Sequence, residues 1–387
     1  MINRLFKNVK PSLTLELSSL AKKFKKDGKD VINLSAGEPD FNTPTFVIDK
    51  IKNSLDKGFT KYLPSAGLWE LREAISNYHK LQGMTFEVSQ IVVSPGAKYA
   101  LFSVLYSVLN RGEEVIIISP YWVSYVQMVN LCGGIPRIVR TSFEKKFQPD
   151  IKDVEKNFTE RTKVIIVNSP SNPTGIILHE NFLKNIYDFA RRHNIFIVSD
   201  DIYDRIVFDN RDCFHIGSLD KGLSSVIVVN GVSKSLSMTG LRIGWSVSPV
   251  EVAKNVIKFQ SHSVSCATSI CQQAVADTLN CSEAKEFYSF VREEFQKRRD
   301  VFCSFLGKIE RIRFYKPEGA FYIFVDISRI TEDSLKFSKD FLEQYFVATV
   351  PGEAFGERGF LRMSLSEGED RLEEAAHRLS KFIEHYG

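Results

Sequence analysis

Ser225-Val226-Ile227-Val228-Val229-Asn230-Gly231-Val232-Ser233-Lys234-Ser235 is the stretch on which the fold turns. Residues 226–229 form an unbroken β-branched run with no polar alternation, the pattern of a strand buried on both faces. A lysine just past such a strand is costly to place there unless something binds it. Eight residues after Lys234 comes Arg242, in Thr239-Gly240-Leu241-Arg242-Ile243-Gly244-Trp245. Upstream, Asp200 and Tyr203 stand three residues apart, again just past an apolar run.

Working outward, similar runs recur at 91–93, 115–118, 137–139, 164–167, 195–198 and 243–247. Several of the segments between them (68–81, 97–109, 123–131 and 180–193) carry apolar residues at three- and four-residue steps, the period of a helix. Apolar strands alternating with helices predict an α/β fold: a large domain with a mostly parallel seven-stranded sheet covered on both faces. Polar and special-geometry residues follow these runs: Ser94-Pro95-Gly96, Ser119-Pro120-Tyr121-Trp122, Asn168-Ser169-Pro170-Ser171-Asn172, Ser199-Asp200, and Asn230 through Lys234. In open α/β sheets the carboxyl edge of the strands is where ligands bind. Five such loops in one chain point to a site there.

After Trp245 the pattern changes. A long helical stretch is expected at about 270–306, then short strands at 312–315 and 320–326 and a helix at 333–345. A strand pair near 348–350 and 360–365 and a last helix at 369–385 complete an α+β tail. The expected division is an N-terminal arm over 1–45 that packs with the tail, a large cofactor-binding domain over 46–280, and a smaller α+β domain over 281–387.

Composition narrows the function classes. The net charge of +4 is small for 387 residues, and no basic stripe suggests nucleic acid. The lysines of 22–29 suit a solvated helix face. No apolar run approaches the roughly 18 residues of a membrane span, and the N-terminus has no apolar signal region, so no membrane partner is expected. The six cysteines form no C-x-x-C pair, which suits reduced thiols in a cytoplasm. The seven histidines have no metal-ligand spacing, so no metal is expected.

The polar groups past the strands are those a pyridoxal 5'-phosphate site needs: an amine for the aldehyde, a carboxylate for the ring nitrogen, a phenol for the ring oxygen and a guanidinium for the phosphate. The motifs that hold them are Asn172-Pro173-Thr174-Gly175, Ser199 to Tyr203, and the Ser-Lys-x-x-x-x-x-Gly-x-Arg-x-Gly pattern of Ser233 to Gly244. In this order they resemble class I aminotransferases, of fold type I of the pyridoxal phosphate enzymes. The resemblance runs from Ala36-Gly37-Glu38-Pro39-Asp40 to Arg362-Met363-Ser364. Lys10-Pro11-Ser12-x-Thr14 and Ser119-Pro120-Tyr121-Trp122-Val123-Ser124-Tyr125 are most similar to the bacterial aspartate aminotransferase branch.

The resemblance implies the roles. Lys234 forms the imine with the cofactor aldehyde and later moves the substrate Cα proton, which needs a depressed pKa. Asp200 pairs with the pyridinium nitrogen; a helix N-cap is its structural alternative. Tyr203 and Asn172 donate to the ring oxygen, or are a core tyrosine and an Asn-Pro turn residue. Gly96, Ala97 and Lys98 open a helix whose amino end, with Arg242 and Ser233, would hold the phosphate. Gly231 stands where many relatives carry a serine, so one phosphate contact is in question. Trp122 would stack on the ring, or pack in the core. Tyr62 resembles the tyrosine that reaches the phosphate from the other subunit of a homodimer with shared active sites; local packing is its alternative.

Arg362 sits in a strand-like run and needs a partner, either the substrate α-carboxylate or an internal ion pair. Lys98, with Ser12 and Thr14, would meet the distal carboxylate of aspartate or glutamate, and Gly37 and the ring-side residues Trp122 and Asn172 would border the substrate. Lys98 solvated and without a substrate role is the alternative. Tyr99 stands where a glutamine is expected in close relatives. The implied activity is a ping-pong transfer between an L-amino acid and a 2-oxo acid, aspartate with 2-oxoglutarate first. Aromatic, prephenate or LL-diaminopimelate amination come next, and a β-elimination lyase is a further alternative. A regulator fused to a DNA-binding module is not expected, because the segment before residue 46 is short for a helix-turn-helix domain.

Overall fold

The computed structural model describes residues 6, 9, 11 and 13–386. Its centre is a seven-stranded sheet in the order Ile91–Ser94, Gly244–Val247, Val226–Gly231, Phe196–Asp200, Thr162–Asn168, Glu114–Ile118, Ile135–Val139. All seven strands were expected from their β-branched runs. Only Gly244–Val247 runs antiparallel to its neighbours. Its register pairs Gly231 with Gly244, so the loop between them leaves and re-enters the sheet at one edge. That return places Lys234 and Arg242 beside the same strand ends.

Alternation along each strand feeds two apolar layers. Ile91, Val93, Val226 and Val228 face one layer, covered by the helices Trp69–Lys80, Glu180–His193 and Ser269–Thr278. Val92, Ile227 and Val229 face the other, covered by Ala97–Val108, Ser124–Leu131 and Val250–Ser263. Each fully buried Val or Ile contributes about 1.5–3 kcal/mol.

A second core is built around a four-stranded antiparallel sheet ordered Val350–Pro351, Phe360–Ser364, Tyr322–Asp326, Arg313–Phe314. The helices Ser282–Leu306, Ser334–Tyr345 and Glu369–His385 pack on it. Ile32 and Leu34 are fully buried in this core, and Ile32–Asn33 pairs in parallel with Val347–Ala348.

Two expectations need correction. The helical stretch at 270–306 is two helices, Ser269–Thr278 and Ser282–Leu306. Cys281 starts the second as its N-cap, its Sγ accepting from the Ala284 N–H at 3.3 Å. The helix Val250–Ser263 went unanticipated, because one of its buried positions is the polar Gln260. That amide donates to the carbonyls of Ser65 and Val93, so burial there is satisfied by hydrogen bonds.

Candidate active site

The strand ends and the second core enclose a cavity of about 510 Å³. Of the residues singled out from sequence, it is lined by Thr14, Gly37, Ala97, Lys98, Trp122, Asn172, Asp200, Tyr203, Ser233, Lys234, Arg242 and Arg362. Gly96 lies directly behind as the N-cap of Ala97–Val108. Ser12 lies outside the described residues. Tyr62 lies outside the cavity and is 86 % exposed.

Lys234 projects from the short helix Val232–Ser235, and its Nζ donates to the Gly37 carbonyl at 2.5 Å. Its pKa is lowered to about 8, first by burial; Glu38 opposes the shift, while Arg362, Arg242 and Lys98 reinforce it. The lysine therefore carries a usable neutral fraction near physiological pH, as its expected role requires.

Asp200 ends its strand buried. Its Oδ2 accepts from the Tyr125 hydroxyl at 2.7 Å, and its Oδ1 accepts from the Ile202 N–H at 3.4 Å. Burial raises its pKa to about 6, against the lowering effect of Tyr125. A carboxyl held that high, with no cation in ion-pair contact among the described residues, suits a cationic ligand. Asn168 supports it from the neighbouring strand: its Nδ2 donates to the Asp200 carbonyl at 2.7 Å, and its Oδ1 accepts from the Asn172 N–H at 2.8 Å. The Tyr203 hydroxyl meets that of Tyr322 at 3.1 Å, both rings being buried.

Arg362 is buried, and among the described residues no ion pair satisfies it. Its Nη1 donates to Asn172 Oδ1 at 3.2 Å and its Nη2 to the Ser35 carbonyl at 2.8 Å, while its guanidinium lies over the Tyr322 ring at 4.4 Å. The Nε has no partner among the described residues. Among the described residues no internal carboxylate, one of the two expected alternatives, holds this charge.

At the other side, Gly96 has φ of +88°, and a Cβ there would come within 2.4 Å of Arg242 Nη2. Only glycine fits both the left-handed backbone and the close approach. The helix that follows has no carbonyl of its own for its first N–H groups, an arrangement that favours an anion. Arg242, itself at φ +58°, is held by the carbonyls of Thr239 at 2.7 Å and Pro95 at 3.2 Å. Ser233 lines the same cavity. At Gly231 a Cβ would lie 2.9 Å from Gly244 Cα and from the Ile243 carbonyl, so the missing serine coincides with tight strand packing. Lys98 stacks its ammonium over Trp122 at 4.9 Å, and burial followed by the Arg242 charge lowers its pKa. It lines the cavity while its side chain stays exposed.

Among the lining residues to which the sequence assigns no role are Tyr125, Asn168, Tyr322 and Glu38. Tyr125 and Asn168 stood in quoted stretches past the strands, but nothing in their spacing told which atoms they would meet. Glu38 accepts from the Thr239 hydroxyl at 2.8 Å and so ties the 36–40 segment to the Arg242 loop.

Comparison with known proteins agrees with this geometry. The family model for aminotransferase class I and II matches residues 29–379, and the chain belongs to that family. It is 42% identical over 382 residues to a probable aspartate/prephenate aminotransferase of Aquifex aeolicus, covering 97% of each chain. The solved aspartate aminotransferase of Thermotoga maritima superimposes with a TM-score of 0.93 at 38% identity, covering 99% of this chain and 100% of that one. That of Thermus thermophilus, solved with maleate, gives 0.95 at 36% identity, covering 98% and 99%.

Membership of this family implies an enzyme that uses pyridoxal phosphate and takes amino acids and 2-oxo acids as substrates. The residues present fit that cofactor. A raised buried carboxyl, a depressed amine, an anion cradle at a helix start and an unmatched buried guanidinium face one cavity. Among the described residues no helix is long and apolar enough to cross a membrane, and no cluster of side chains could hold a metal ion.

Proposed function

We propose that this aminotransferase binds pyridoxal 5'-phosphate through Lys234 and acts on dicarboxylic amino acids. It would move nitrogen from aspartate or glutamate to 2-oxoglutarate or oxaloacetate in two half-reactions. The observation that carries this reading is the charge pattern of the cavity: five cationic side chains, Lys22, Lys98, Lys234, Arg242 and Arg362, face two carboxylates, Glu38 and Asp200. A phosphate and two substrate carboxylates match that excess. The Thermus relative, solved with the dicarboxylate maleate, supports the same class of ligand.

When bound, the cofactor supplies an aldehyde that takes up the substrate nitrogen and a ring that draws electrons from Cα. The helix start at Gly96–Ala97–Lys98, with Arg242 and Ser233, holds its phosphate; Asp200 meets its ring nitrogen; Tyr203 and Asn172 meet its ring oxygen; Trp122 covers its face. An ion pair between Asp200 and a protonated ring nitrogen would contribute roughly 4 kcal/mol at about 4 Å and an effective dielectric of 20, and would so favour the protonated ring. Tyr125 holds the Asp200 carboxylate by its hydroxyl, and Asn168 fixes the backbone behind it. Arg362, already oriented by Asn172 and the Ser35 carbonyl, grips the substrate α-carboxylate by two parallel hydrogen bonds. Lys98, aided by Ser12 and Thr14, grips the distal one, with Gly37 bordering the substrate. Lys234 Nζ, once displaced, moves the Cα proton as general acid–base.

A homodimer is part of this reading. Tyr62, exposed on its own subunit, would reach the partner's phosphate, and Tyr106, Phe102 and Phe259 form an aromatic face that a second copy would cover. The two cores would act as domains over 46–280 and 281–387, with 1–45 joining the second. The cysteines of the described residues are all unpaired, which supports a cytoplasmic setting.

Prephenate is a second acceptor worth testing, because relatives carry that name and because Lys98 over Trp122 offers a cation on an aromatic plate. The test is to mix the cofactor-loaded protein with single amino acids and follow the bound cofactor's visible absorbance. Aspartate and glutamate should discharge it. Discharge by phenylalanine alone would overturn the dicarboxylate reading.

A further inference from the structure

Four of the cavity's five cations have an assignment under the reading above: Lys234 at the aldehyde, Arg242 at the phosphate, Arg362 at the α-carboxylate and Lys98 at the distal carboxylate. Lys22 has none. It lies on the helix Leu13–Lys26, where Thr14, Ser18 and Lys22 follow one another at four-residue steps and so share one face. All three line the cavity. The neighbouring stripe, with Leu17 and Ala21 each 2 % exposed, faces the protein, and Ala21 packs with Val31, Leu342 and Ala348. That packing sets the rotation of the helix and aims the polar stripe into the cavity. Lys22 makes no hydrogen bond or ion pair among the described residues, and the Thr14 hydroxyl is buried without a partner.

We infer that Lys22 is a specificity-determining residue: with Ser18 it extends the distal subsite beyond Lys98 and supplies a second cation to anionic side groups that reach further than that of aspartate. The substrate class is the longer dicarboxylic amino acids and 2-oxo acids, with glutamate and 2-oxoglutarate its smallest members. This rests on the dicarboxylate reading given above. The ammonium is solvent-exposed, so its attraction is modest and screened by salt. Alanine is a better helix former than lysine, so replacing Lys22 leaves the helix intact.

The experiment compares half-reactions of wild type, Lys22→Ala and Lys22→Arg with glutamate, aspartate and alanine at low and high salt. In Lys22→Ala the efficiency ratio of glutamate to alanine should fall about two- to fivefold at low salt. The loss should appear in the saturation constant, be smaller for aspartate, shrink at high salt and be restored in Lys22→Arg. An unchanged glutamate-to-alanine ratio, or an equal loss with all three donors, overturns the inference while leaving the dicarboxylate reading intact. A wild type that prefers alanine to both dicarboxylic donors overturns that reading, and the inference falls with it.

Discussion

The Tyr125 hydroxyl donates to Asp200 Oδ2 at 2.7 Å, with both residues buried and lining the cavity. The bond favours the ionised carboxylate against the burial that raises its pKa to about 6. Tyr125→Phe therefore removes a charge-assisted bond contributing about 1.5–3 kcal/mol. The rate of the aspartate half-reaction should drop by one to two orders of magnitude, with the saturation constant changing less. Stopped-flow measurement of the loaded variant checks this; a wild-type rate would mean that Tyr125 does not tune Asp200.

Asp200 also gives the cofactor-free protein a pH signature. Its folded pKa lies above the unfolded value of 3.8, at about 6. The folded state thus binds a proton that the unfolded chain has lost, and stability from this group is fully present below about pH 4 and lost as pH rises through about 6. The loss is roughly 3 kcal/mol. Asp200→Asn lacks it, so denaturant melts from pH 4.5 to 7 should show the variant gaining on wild type as pH rises. A constant difference would contradict the burial argument.

Lys234, lowered to about 8, predicts the opposite kind of profile for cofactor capture. Only the neutral amine attacks an aldehyde, so the attachment rate to cofactor-free protein should rise about tenfold per pH unit below 8 and level off above it. A rate still climbing at pH 10 would mean that the amine is not desolvated.

Arg362 has no carboxylate partner among the described residues, and its removal should therefore be felt by the substrate more than by the fold. Arg362→Ala should lower kcat/KM by roughly 30- to 1000-fold, the loss expected when one partner of a buried charge pair goes. The melting temperature of the cofactor-free protein should change little or rise, since the buried cation no longer has to be desolvated. A large fall in stability with little loss of activity would reassign Arg362 as structural.

Gly96→Ala tests the phosphate cradle. The added methyl meets the Arg242 guanidinium at a φ that disfavours side chains. Affinity for pyridoxal phosphate should fall about tenfold or more, while affinity for unphosphorylated pyridoxal changes much less. Equal losses for both would place the defect elsewhere.

Much of this was legible in the residues. The strands declare themselves because a sheet covered on both faces needs uninterrupted β-branched runs, and residues 226–229 and 164–167 show such runs plainly. Lys234, Asp200 and Arg242 were legible because charge past a buried strand needs a reason. The helix Val250–Ser263 was hidden by Gln260, whose burial depends on carbonyls 195 and 167 residues away in sequence. The break at 279–281 was hidden because Cys281 is an uncommon cap. Tyr322 and Glu38 acquire their places only through tertiary contacts, with Tyr203 and Thr239, that no local pattern announces. Tyr62 is exposed and takes no part in the cavity, so its expected place could not be read from a single chain's packing.

The most direct test is chemical. The protein is incubated with pyridoxal phosphate, reduced with borohydride, digested and mapped. The account predicts one pyridoxyl-modified peptide containing Val232-Ser233-Lys234-Ser235, with the label on Lys234. Label on another lysine, or none after incubation with excess cofactor, would contradict it.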